Sequence, residues 1–200
     1  MGPIAVLALQ GDVREHLATL KTIGVETVAI KKLEQLDGIS GLIIPGGEST
    51  VIDKLSRIYK LRDPIRELIA KGLPVMGTCA GLIMLADKIS DGIQDQQTFG
   101  GLDAVVRRNA FGSQVNSFEA VLDFQTIGMV KAAFIRAPIV ESVGSDVSVL
   151  ATFEDSIVAI RQNNKLGISF HPEIVGETRI HEYFVEMCKS AKFRANNYNN

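Results

Sequence analysis

The first half of the chain alternates short apolar runs with segments of helical periodicity. Residues 4–9 are nearly all apolar, and Val13, Leu17 and Leu20 then recur at helical spacing until Gly24. This pattern predicts a strand followed by a helix, because glycine commonly ends helices. The same alternation predicts strands at 25–30, 42–44 and 74–78, and helices beginning at Ser49, at 64–71 and at 82–88. Strands that alternate with helices indicate an open, mostly parallel α/β sheet.

The helix that begins at Ser49 carries several apolar residues, which we interpret as one apolar face: Val51, Ile52, Leu55, Ile58 and Tyr59.

The pattern changes at Gly100, after which β-rich pieces follow one another with little helical periodicity. We predict strands, partly antiparallel, at 104–107, 118–122, 132–135, 147–153, 157–161 and 167–170. An amphipathic helix at 178–191 closes the fold, and residues 194–200 form a polar, asparagine-rich tail. Because no repeat or linker-like stretch interrupts the chain, we expect one domain over residues 1–193.

Composition and charge limit the partners of the protein. The 200 residues are 46% hydrophobic and 22% charged, which is enough apolar material for one substantial core. The formal charge is −2 and the 21 basic residues are scattered, so we expect neither nucleic acid nor a membrane as partner. The sequence has no apolar run of the ~18 residues that suggest a membrane span, and residues 1–9 lack the features of a secretory signal. We therefore expect a cytoplasmic protein.

The two cysteines have different surroundings. Cys188 lies among apolar residues at helical spacing, and we interpret it as part of the core. Cys79 is the centre of Gly-Thr-Cys-Ala-Gly at 77–81, between a predicted strand and a predicted helix. This frame is typical of a sharp elbow that exposes a nucleophile, and it makes the Ala80 amide available as an oxyanion donor. The alternative is that Cys79 is a small buried residue, as free cysteines often are.

A cysteine nucleophile needs a base, and the sequence offers three histidines. His16 and His181 fall within predicted helices, and we interpret both as surface or boundary residues. His171 follows an apolar predicted strand, and functional groups of open α/β sheets gather where strands end. Glu173, two residues further on, can hold the imidazole and stabilise its charged form. We therefore predict Cys79 as nucleophile, His171 as base and Glu173 as the orienting carboxylate.

Residues 45–49, Pro-Gly-Gly-Glu-Ser, also follow a strand and open a helix. A phosphate-binding loop is one interpretation, but the lysine of a P-loop is missing and the spacing is wrong. The glycines could instead let the Gly47 amide approach a reacting carbonyl as a second oxyanion donor. A third interpretation, compatible with the second, is a helix-entry turn with Ser49 as N-cap.

Six motifs occur in order over nearly the whole chain. They are Leu-Gln-Gly at 9–11 with Arg-Glu-His at 14–16, the loop at 45–50, the elbow at 77–81, Arg-Asn-Ala-Phe-Gly at 108–112, Phe-Ile-Arg-Ala-Pro at 134–138 and Ser-Phe-His-Pro-Glu at 169–173. The set resembles the glutaminase subunit of pyridoxal 5'-phosphate synthase, within the class I glutamine amidotransferases. The sequence departs from that family pattern at Val51, Ser113 and Asn116. None of the three is a predicted catalytic residue, so the departures bear on local contacts near Ser113 rather than on catalysis.

The resemblance implies a flavodoxin-like class I glutamine amidotransferase fold, in which helices flank a mostly parallel central sheet with additional antiparallel strands. It implies hydrolysis of L-glutamine to L-glutamate and ammonia through a thioester on Cys79, without a cofactor or a metal. Arginines suit the α-carboxylate of glutamine. Matching motifs place the following residues at the substrate, with the amides of Gly47 and Ala80 as oxyanion donors: Gly47, Glu48, Ser49, Arg108, Ile135 and Arg136.

The resemblance also implies a partner, because the ammonia must be used on another chain. That chain is a (β/α)₈ synthase subunit that makes pyridoxal 5'-phosphate, in a large hetero-oligomer onto which many glutaminases dock. Two alternatives stay open: a glutaminase subunit of another amidotransferase, such as one for imidazole glycerol phosphate synthesis, and a non-glutaminase cysteine hydrolase of similar fold. The presence of Cys79, His171 and Glu173 argues against a non-catalytic binding subunit.

Overall fold

The structure is a computed structural model that describes residues 1–108, 117–191 and 193. Residues 109–112 of the Arg-Asn-Ala-Phe-Gly motif, the departures Ser113 and Asn116, and the predicted tail at 194–200 lie outside the described residues. Within the described ranges, no helix is both long enough and apolar enough to cross a membrane.

A large mixed sheet forms the centre of the described chain. Its strands are β1 (Ile4–Leu7), β2 (Thr27–Ile30), β3 (Gly41–Ile44), β4 (Val75–Thr78), β5 (Ala86–Ile89), β6 (Leu102–Arg107), β9 (Ile139–Val143), β10 (Ser148–Phe153), β11 (Ser156–Gln162) and β12 (Lys165–Ile168). A separate hairpin consists of β7 (Phe118–Phe124) and β8 (Gly128–Phe134). The order across the sheet is β2-β1-β3-β4-β12-β11-β9-β6-β5, and β10 pairs with β11.

The direction of the strands divides the sheet into two regions. Pairing is parallel from β2 through β1, β3 and β4 to β12, and again between β5 and β6. Strand β11 is antiparallel to β12, β9 and β10, and β9 is antiparallel to β6. The structure thus confirms the predicted parallel first half and the partly antiparallel second half.

Helices cover both faces of the sheet. They are α1 (Val13–Thr22), α2 (Ser49–Ile58), α3 (Arg62–Ala70), α4 (Ala80–Leu85) and α5 (Arg179–Ser190), with a short 3₁₀ helix at Leu33–Leu36. Successive residues of a strand point to opposite faces, so Ile4 and Val6 of β1 pack in one apolar cluster while Ala5 and Leu7 pack in the other. Burial on both faces explains why the parallel strands read as continuous apolar runs.

The apolar face predicted for α2 is wrong at three of its five residues, since only Ile52 is buried and Leu55 is partly buried. Val51, Ile58 and Tyr59 are 38%, 60% and 53% exposed. The residues of α2 that are buried instead recur every three or four positions, as one face of a helix requires: Ser49, Ile52, Asp53 and Ser56. Three of those four are polar, so a prediction based on apolar residues shares only Ile52 with the buried face.

Other elements also differ from the prediction. The helix predicted at 82–88 begins at Ala80 and ends at Leu85, because the chain becomes extended at Ala86 and pairs with β6 as β5. Strand β9 was not predicted at all. It lies between β11 and β6, and it carries two consecutive polar residues, Glu141 and Ser142, which interrupt the apolar pattern.

Candidate active site

Cys79 lies between β4 and α4 in a strained backbone conformation, with φ of 49° and ψ of −104°. A positive φ is uncommon for residues other than glycine. The sharp turn also needs bare backbone on both sides of the cysteine. A Cβ on Gly77 would clash with the backbone of Gly81, and a Cβ on Gly81 would clash with the carbonyl oxygen of Ile44. The elbow predicted from the Gly-Thr-Cys-Ala-Gly frame is therefore present.

The second cysteine has no place in this site. Cys188 on α5 is a buried free thiol that packs in the apolar cluster formed with β1 and α1. Burial raises the pKa of the Cys188 thiol to about 12. The interpretation of Cys188 as part of the core is confirmed.

Strand β12 brings His171 to the cysteine elbow. It is parallel to β4, with Ile168 opposite Thr78, so the segments that follow the two strands leave the sheet at the same edge. The Cys79 N–H donates to the carbonyl oxygen of Ile168 at 2.8 Å, and the His171 N–H donates to that of Ala133 at 2.8 Å. These backbone bonds fix both residues at the wall of one cavity.

Two carboxylates face the same nitrogen of the His171 imidazole. Nδ1 lies 2.9 Å from Oε1 of Glu173 and 3.2 Å from Oδ2 of Asp12. Because Nδ1 is engaged there, Nε2 is left for the cysteine. Burial opposes a charge on the ring, but hydrogen bonds with the two carboxylates and with Cys79 outweigh it and raise the pKa of His171 to about 12. The site therefore favours an imidazolium.

The two carboxylates differ in their surroundings. The side chain of Glu173 has no solvent exposure, and burial raises the pKa of its carboxyl although His171 acts in the opposite direction. The side chain of Asp12 is 34% exposed, and its hydrogen bond with His171 lowers its pKa. The ligand atoms of these three residues lie within 4.8 Å of one another, close enough to share a metal ion. Both carboxylates already contact the imidazolium at Nδ1, so ion pairing accounts for the cluster.

A pair of buried histidines lies behind Glu173. His16 on α1 and His181 on α5 are both 0% exposed, and Nδ1 of His16 is 2.9 Å from Nε2 of His181. Nε2 of His16 is 3.1 Å from Oγ1 of Thr78 and 3.5 Å from Oε1 of Glu173. Burial lowers the pKa of His16 well below its usual value and that of His181 to about 4. The interpretation of both as surface or boundary residues is wrong, because α1 and α5 bury these side chains.

A cavity of about 250 Å³ opens at this edge of the sheet. Its volume is below the ~300–1,000 Å³ of pockets for drug-sized ligands, so it suits a small substrate. Every predicted site residue except Glu173 lines it: Cys79, His171, Gly47, Glu48, Ser49, Ala80, Arg108, Ile135 and Arg136. Glu173 lies behind His171. The lining also includes residues that were not predicted as site residues: Gln10, Gly11, Asp12 and Ile83.

The loop before α2 is held against the loop after β1. The Glu48 N–H donates to Oε1 of Gln10 at 2.7 Å, and a Cβ on Gly47 would clash with the same side chain. Gly47 has φ of 149°, which a side chain would strain. Glu48 rather than Ser49 is the N-cap of α2, and it makes no side-chain cap hydrogen bond. The prediction of Ser49 as N-cap is therefore wrong, and the glycine loop is instead shaped by its contact with Gln10.

Arg108 forms a hydrogen-bond network with two other predicted substrate residues, Glu48 and Ser49. Its Nη2 donates to Oε1 of Glu48 at 3.1 Å, and its Nη1 donates to Oε1 of Gln96 at 3.1 Å. Gln96 in turn donates from Nε2 to Oγ of Ser49 at 3.0 Å. The pair of Arg108 and Glu48 places opposite charges side by side in the cavity wall. Gln96 belongs to no sequence motif, so only the tertiary contact reveals its place.

Strand β8 leads to Ile135 and Arg136 beside the elbow. The carbonyl oxygen of Ile135 accepts from Sγ of Cys79 at 3.8 Å. Arg136 has a positive φ of 47°, a second strained position in the cavity wall. The structure thus brings both residues to the cysteine, while their contact with a substrate stays a prediction.

A strained cysteine beside a buried imidazole–carboxylate pair, at the carboxyl edge of an α/β sheet, has the parts of a cysteine-dependent acyl-transfer site. Comparison with known proteins narrows that class. The model of the SNO glutamine amidotransferase family matches residues 6–190. The chain belongs to this family of glutaminases, and the resemblance stated from its motifs is confirmed.

Curated relatives and solved structures agree with the family. The pyridoxal 5'-phosphate synthase subunit PdxT of Leifsonia xyli subsp. xyli is 57% identical over 185 residues, which are 91% of this chain and 93% of the relative. The subunit of the same name from Kineococcus radiotolerans is 52% identical over 93% of this chain and 94% of the relative. A crystal structure described as glutamine amidotransferase has a TM-score of 0.89 at 46% identity, over 94% of this chain and 100% of that chain.

More distant structures share the fold alone. PurLQS from Thermotoga maritima matches with a TM-score of 0.63 at 18% identity, over 93% of this chain and 99% of that chain. The class I glutamine amidotransferase fold expected from the sequence is confirmed.

Proposed function

We propose that the protein hydrolyses L-glutamine to L-glutamate and ammonia, with Cys79 as nucleophile, His171 as general acid and base, and Glu173 as the carboxylate that orients the imidazole. One observation carries the proposal: the strained Cys79 shares a cavity with a His171 imidazole whose Nδ1 lies 2.9 Å from Glu173. Membership of a glutamine amidotransferase family names the substrate class.

The proposed reaction has two halves. The Cys79 thiolate attacks the side-chain amide carbon of glutamine, and the C–N bond breaks as His171 gives a proton to the leaving nitrogen, which departs as ammonia. His171 then removes a proton from water, which attacks the thioester and releases glutamate and the cysteine. Gly47 and Ala80 line the cavity. Their amides would hold the oxyanion in both halves, each donor being worth ~10² to 10³ in rate.

The charges of the cavity wall fit free glutamine. Its α-ammonium and α-carboxylate groups need an acid and a base on the protein, and Glu48 and Arg108 lie side by side there. Arg136 supplies a second guanidinium on the same wall, and Ser49 and Ile135 complete the contact surface. We assign these residues to binding rather than to chemistry.

The proposal extends to a partner subunit. The curated relatives are named as subunits of pyridoxal 5'-phosphate synthase, which supports a second chain that consumes the ammonia. We assign that role to the (β/α)₈ synthase subunit, within a large hetero-oligomer that makes pyridoxal 5'-phosphate. Glutaminase activity should then be low in the isolated chain and rise when the synthase binds, because uncoupled turnover would waste glutamine.

Glutamate release tests the proposal directly. The chain is assayed with L-glutamine, alone and with the synthase subunit, and L-asparagine serves as the control substrate. We expect release from glutamine, an increase on addition of the synthase, and none above background for Cys79→Ala. Turnover by Cys79→Ala would overturn the mechanism, and equal rates with and without the synthase would remove the activation.

A further inference from the structure

Asp12 occupies the start of a helix without serving as its cap. It is the N-cap residue of α1, with φ of −80° and ψ of 46°, and it makes no side-chain cap hydrogen bond. An aspartate at this position ordinarily accepts a hydrogen bond from an amide in the first turn, which stabilises the helix. Here Oδ2 lies 3.2 Å from Nδ1 of His171. The carboxylate thus contacts the imidazole of His171 instead of capping α1.

The surrounding backbone is shaped for this contact. The Asp12 N–H donates to the carbonyl oxygen of Gly46 at 3.2 Å, which anchors the loop after β1 to the glycine loop. A Cβ on Gly46 would lie 2.8 Å from Oδ2 of Asp12 and 2.9 Å from Nδ1 of His171. Glycine at position 46 therefore leaves the space in which the carboxylate and the imidazole meet.

We propose that Asp12 is a positioning residue of the reaction, whose carboxylate shares the Nδ1 proton of His171 with Glu173 and holds the imidazolium toward Cys79. This inference rests on the proposed glutaminase mechanism. Oδ2 of Asp12 and Oε1 of Glu173 lie 3.2 and 2.9 Å from the same Nδ1 atom, and both distances fall in the heavy-atom range of an N–H···O hydrogen bond. The arrangement is therefore a tetrad, with two carboxylates of different exposure behind one imidazole.

The two carboxylates have separate tasks. Glu173 is fully buried and fixes the plane of the ring, but burial makes its negative charge costly. Asp12 is partly exposed and lies at the N-terminus of α1, where a negative charge is favoured. Asp12 thus keeps His171 protonated until the leaving nitrogen takes the proton from the ring.

Direct titration of the histidines tests the proposal without relying on turnover. The chain contains three histidines, so NMR can follow the imidazole resonances of each against pH. The groups that face His171 are Asp12, Glu173, Cys79 and the neutral His16, and the cavity wall adds Glu48, Arg108 and Arg136. In Asp12→Asn we expect the pKa of His171 to fall by about one pH unit or more, because one of the facing negative charges is removed. An unchanged titration of His171 would overturn the proposal.

Two further variants separate the charge from the fold. Asp12→Ser keeps a good N-cap residue and removes the charge, so it should lower the pKa of His171 as Asp12→Asn does. Asp63→Asn removes a carboxylate from the first turn of α3, on an 80% exposed side chain, and should leave His171 unchanged. An equal fall in Asp63→Asn would mean that the net charge, rather than Asp12, determines the titration.

Turnover with the synthase subunit gives the second readout. In Asp12→Asn we expect kcat for glutamate release to fall about tenfold, with the alkaline limb of its pH profile moved to lower pH and KM nearly unchanged.

Combining Asp12→Asn with Glu173→Gln should reduce kcat by more than the product of the two single effects, because each carboxylate partly replaces the other. Purely multiplicative effects would show that the carboxylates do not share the proton. Absence of glutamate release from the unmutated chain would overturn the proposed function while leaving the titration result valid.

Discussion

Cys79 and Cys188 are similarly buried, with 7% and 5% of their surface exposed. They differ in the surroundings of the thiol group. Cys79 borders the cavity, whereas Cys188 is enclosed by apolar side chains and its pKa is raised to about 12. Reactivity of a thiol follows its ionisation and its access, not its exposed area alone. The cavity therefore distinguishes the two cysteines chemically.

Selective alkylation tests this distinction. Brief treatment of the native chain with iodoacetamide at pH 8 should modify Cys79 and leave Cys188 unmodified, as read by mass spectrometry of tryptic peptides. The Cys79→Ala variant should take up no label until it is denatured, and Cys188→Ala should label like the unmutated chain. Modification of native Cys188 at a comparable rate would contradict the assignment.

At the scale of elements, α2 shows that apolar residues do not always mark the buried side of a helix. Its first turn carries Ser49 at the cavity, and its exposed side carries Ile58. The polar residues on the buried face serve contacts such as the hydrogen bond from Ser56 to the carbonyl oxygen of Asp53, at 2.7 Å. The buried face of α2 can therefore be polar, because its side chains make hydrogen bonds within the helix and with Gln96.

Two matched substitutions on α2 test this orientation. Ile52→Ala removes a side chain that is 1% exposed and should lower the free energy of unfolding by about 2 to 5 kcal/mol. Ile58→Ala removes a side chain of the same size that is 60% exposed and should change it by no more than about 0.5 kcal/mol. Urea unfolding followed by circular dichroism measures both. Equal losses would show that the outer face of α2 is buried.

At the scale of the whole molecule, three buried histidines come from α1, from the segment after β12 and from α5, and they lie at or behind the cavity wall. His171 favours the charged form, whereas His16 and His181 favour the neutral form. Because an unfolded histidine titrates near pH ~6.5, the three contribute to stability with opposite signs. His171 stabilises the fold fully below pH ~6.5 and loses that contribution as the pH rises toward about 12.

The buried neutral pair predicts loss of stability in acid. The pKa of His181 in the folded protein is about 4. Between pH ~6.5 and about 4, this histidine is therefore protonated in the unfolded chain but neutral in the folded one. Its share of the unfolding free energy should fall by about 2 kcal/mol between pH 7 and pH 5. Urea unfolding of His181→Gln should show a correspondingly smaller decrease over that interval. His171 and Glu173 titrate in both proteins, so equal decreases would mean that His181 is not held neutral.

The predicted triad shows how much of the site could be predicted from sequence. Local motifs predicted an elbow at Cys79 and a strand end before His171, because each feature has a short-range signature, and the structure brings both residues to one cavity. Glu173 lies two residues from His171, so the chain itself holds the pair together. The same motifs could not identify Asp12, Gln96 or the buried His16, because these meet the site through contacts between segments distant in sequence.

The sequence by itself determined the alternation of strands and helices, the parallel region, the strained elbow and the family. These features depend on local periodicity and on the positions of glycine, and both can be observed in short stretches of sequence. Only the tertiary structure decided which face of α2 is buried, that His16 and His181 lie inside, and that Asp12 faces the same nitrogen as Glu173. The physical reason is that burial and charge pairing depend on which segments pack together, and the parallel neighbours β4 and β12 bring those segments to one edge.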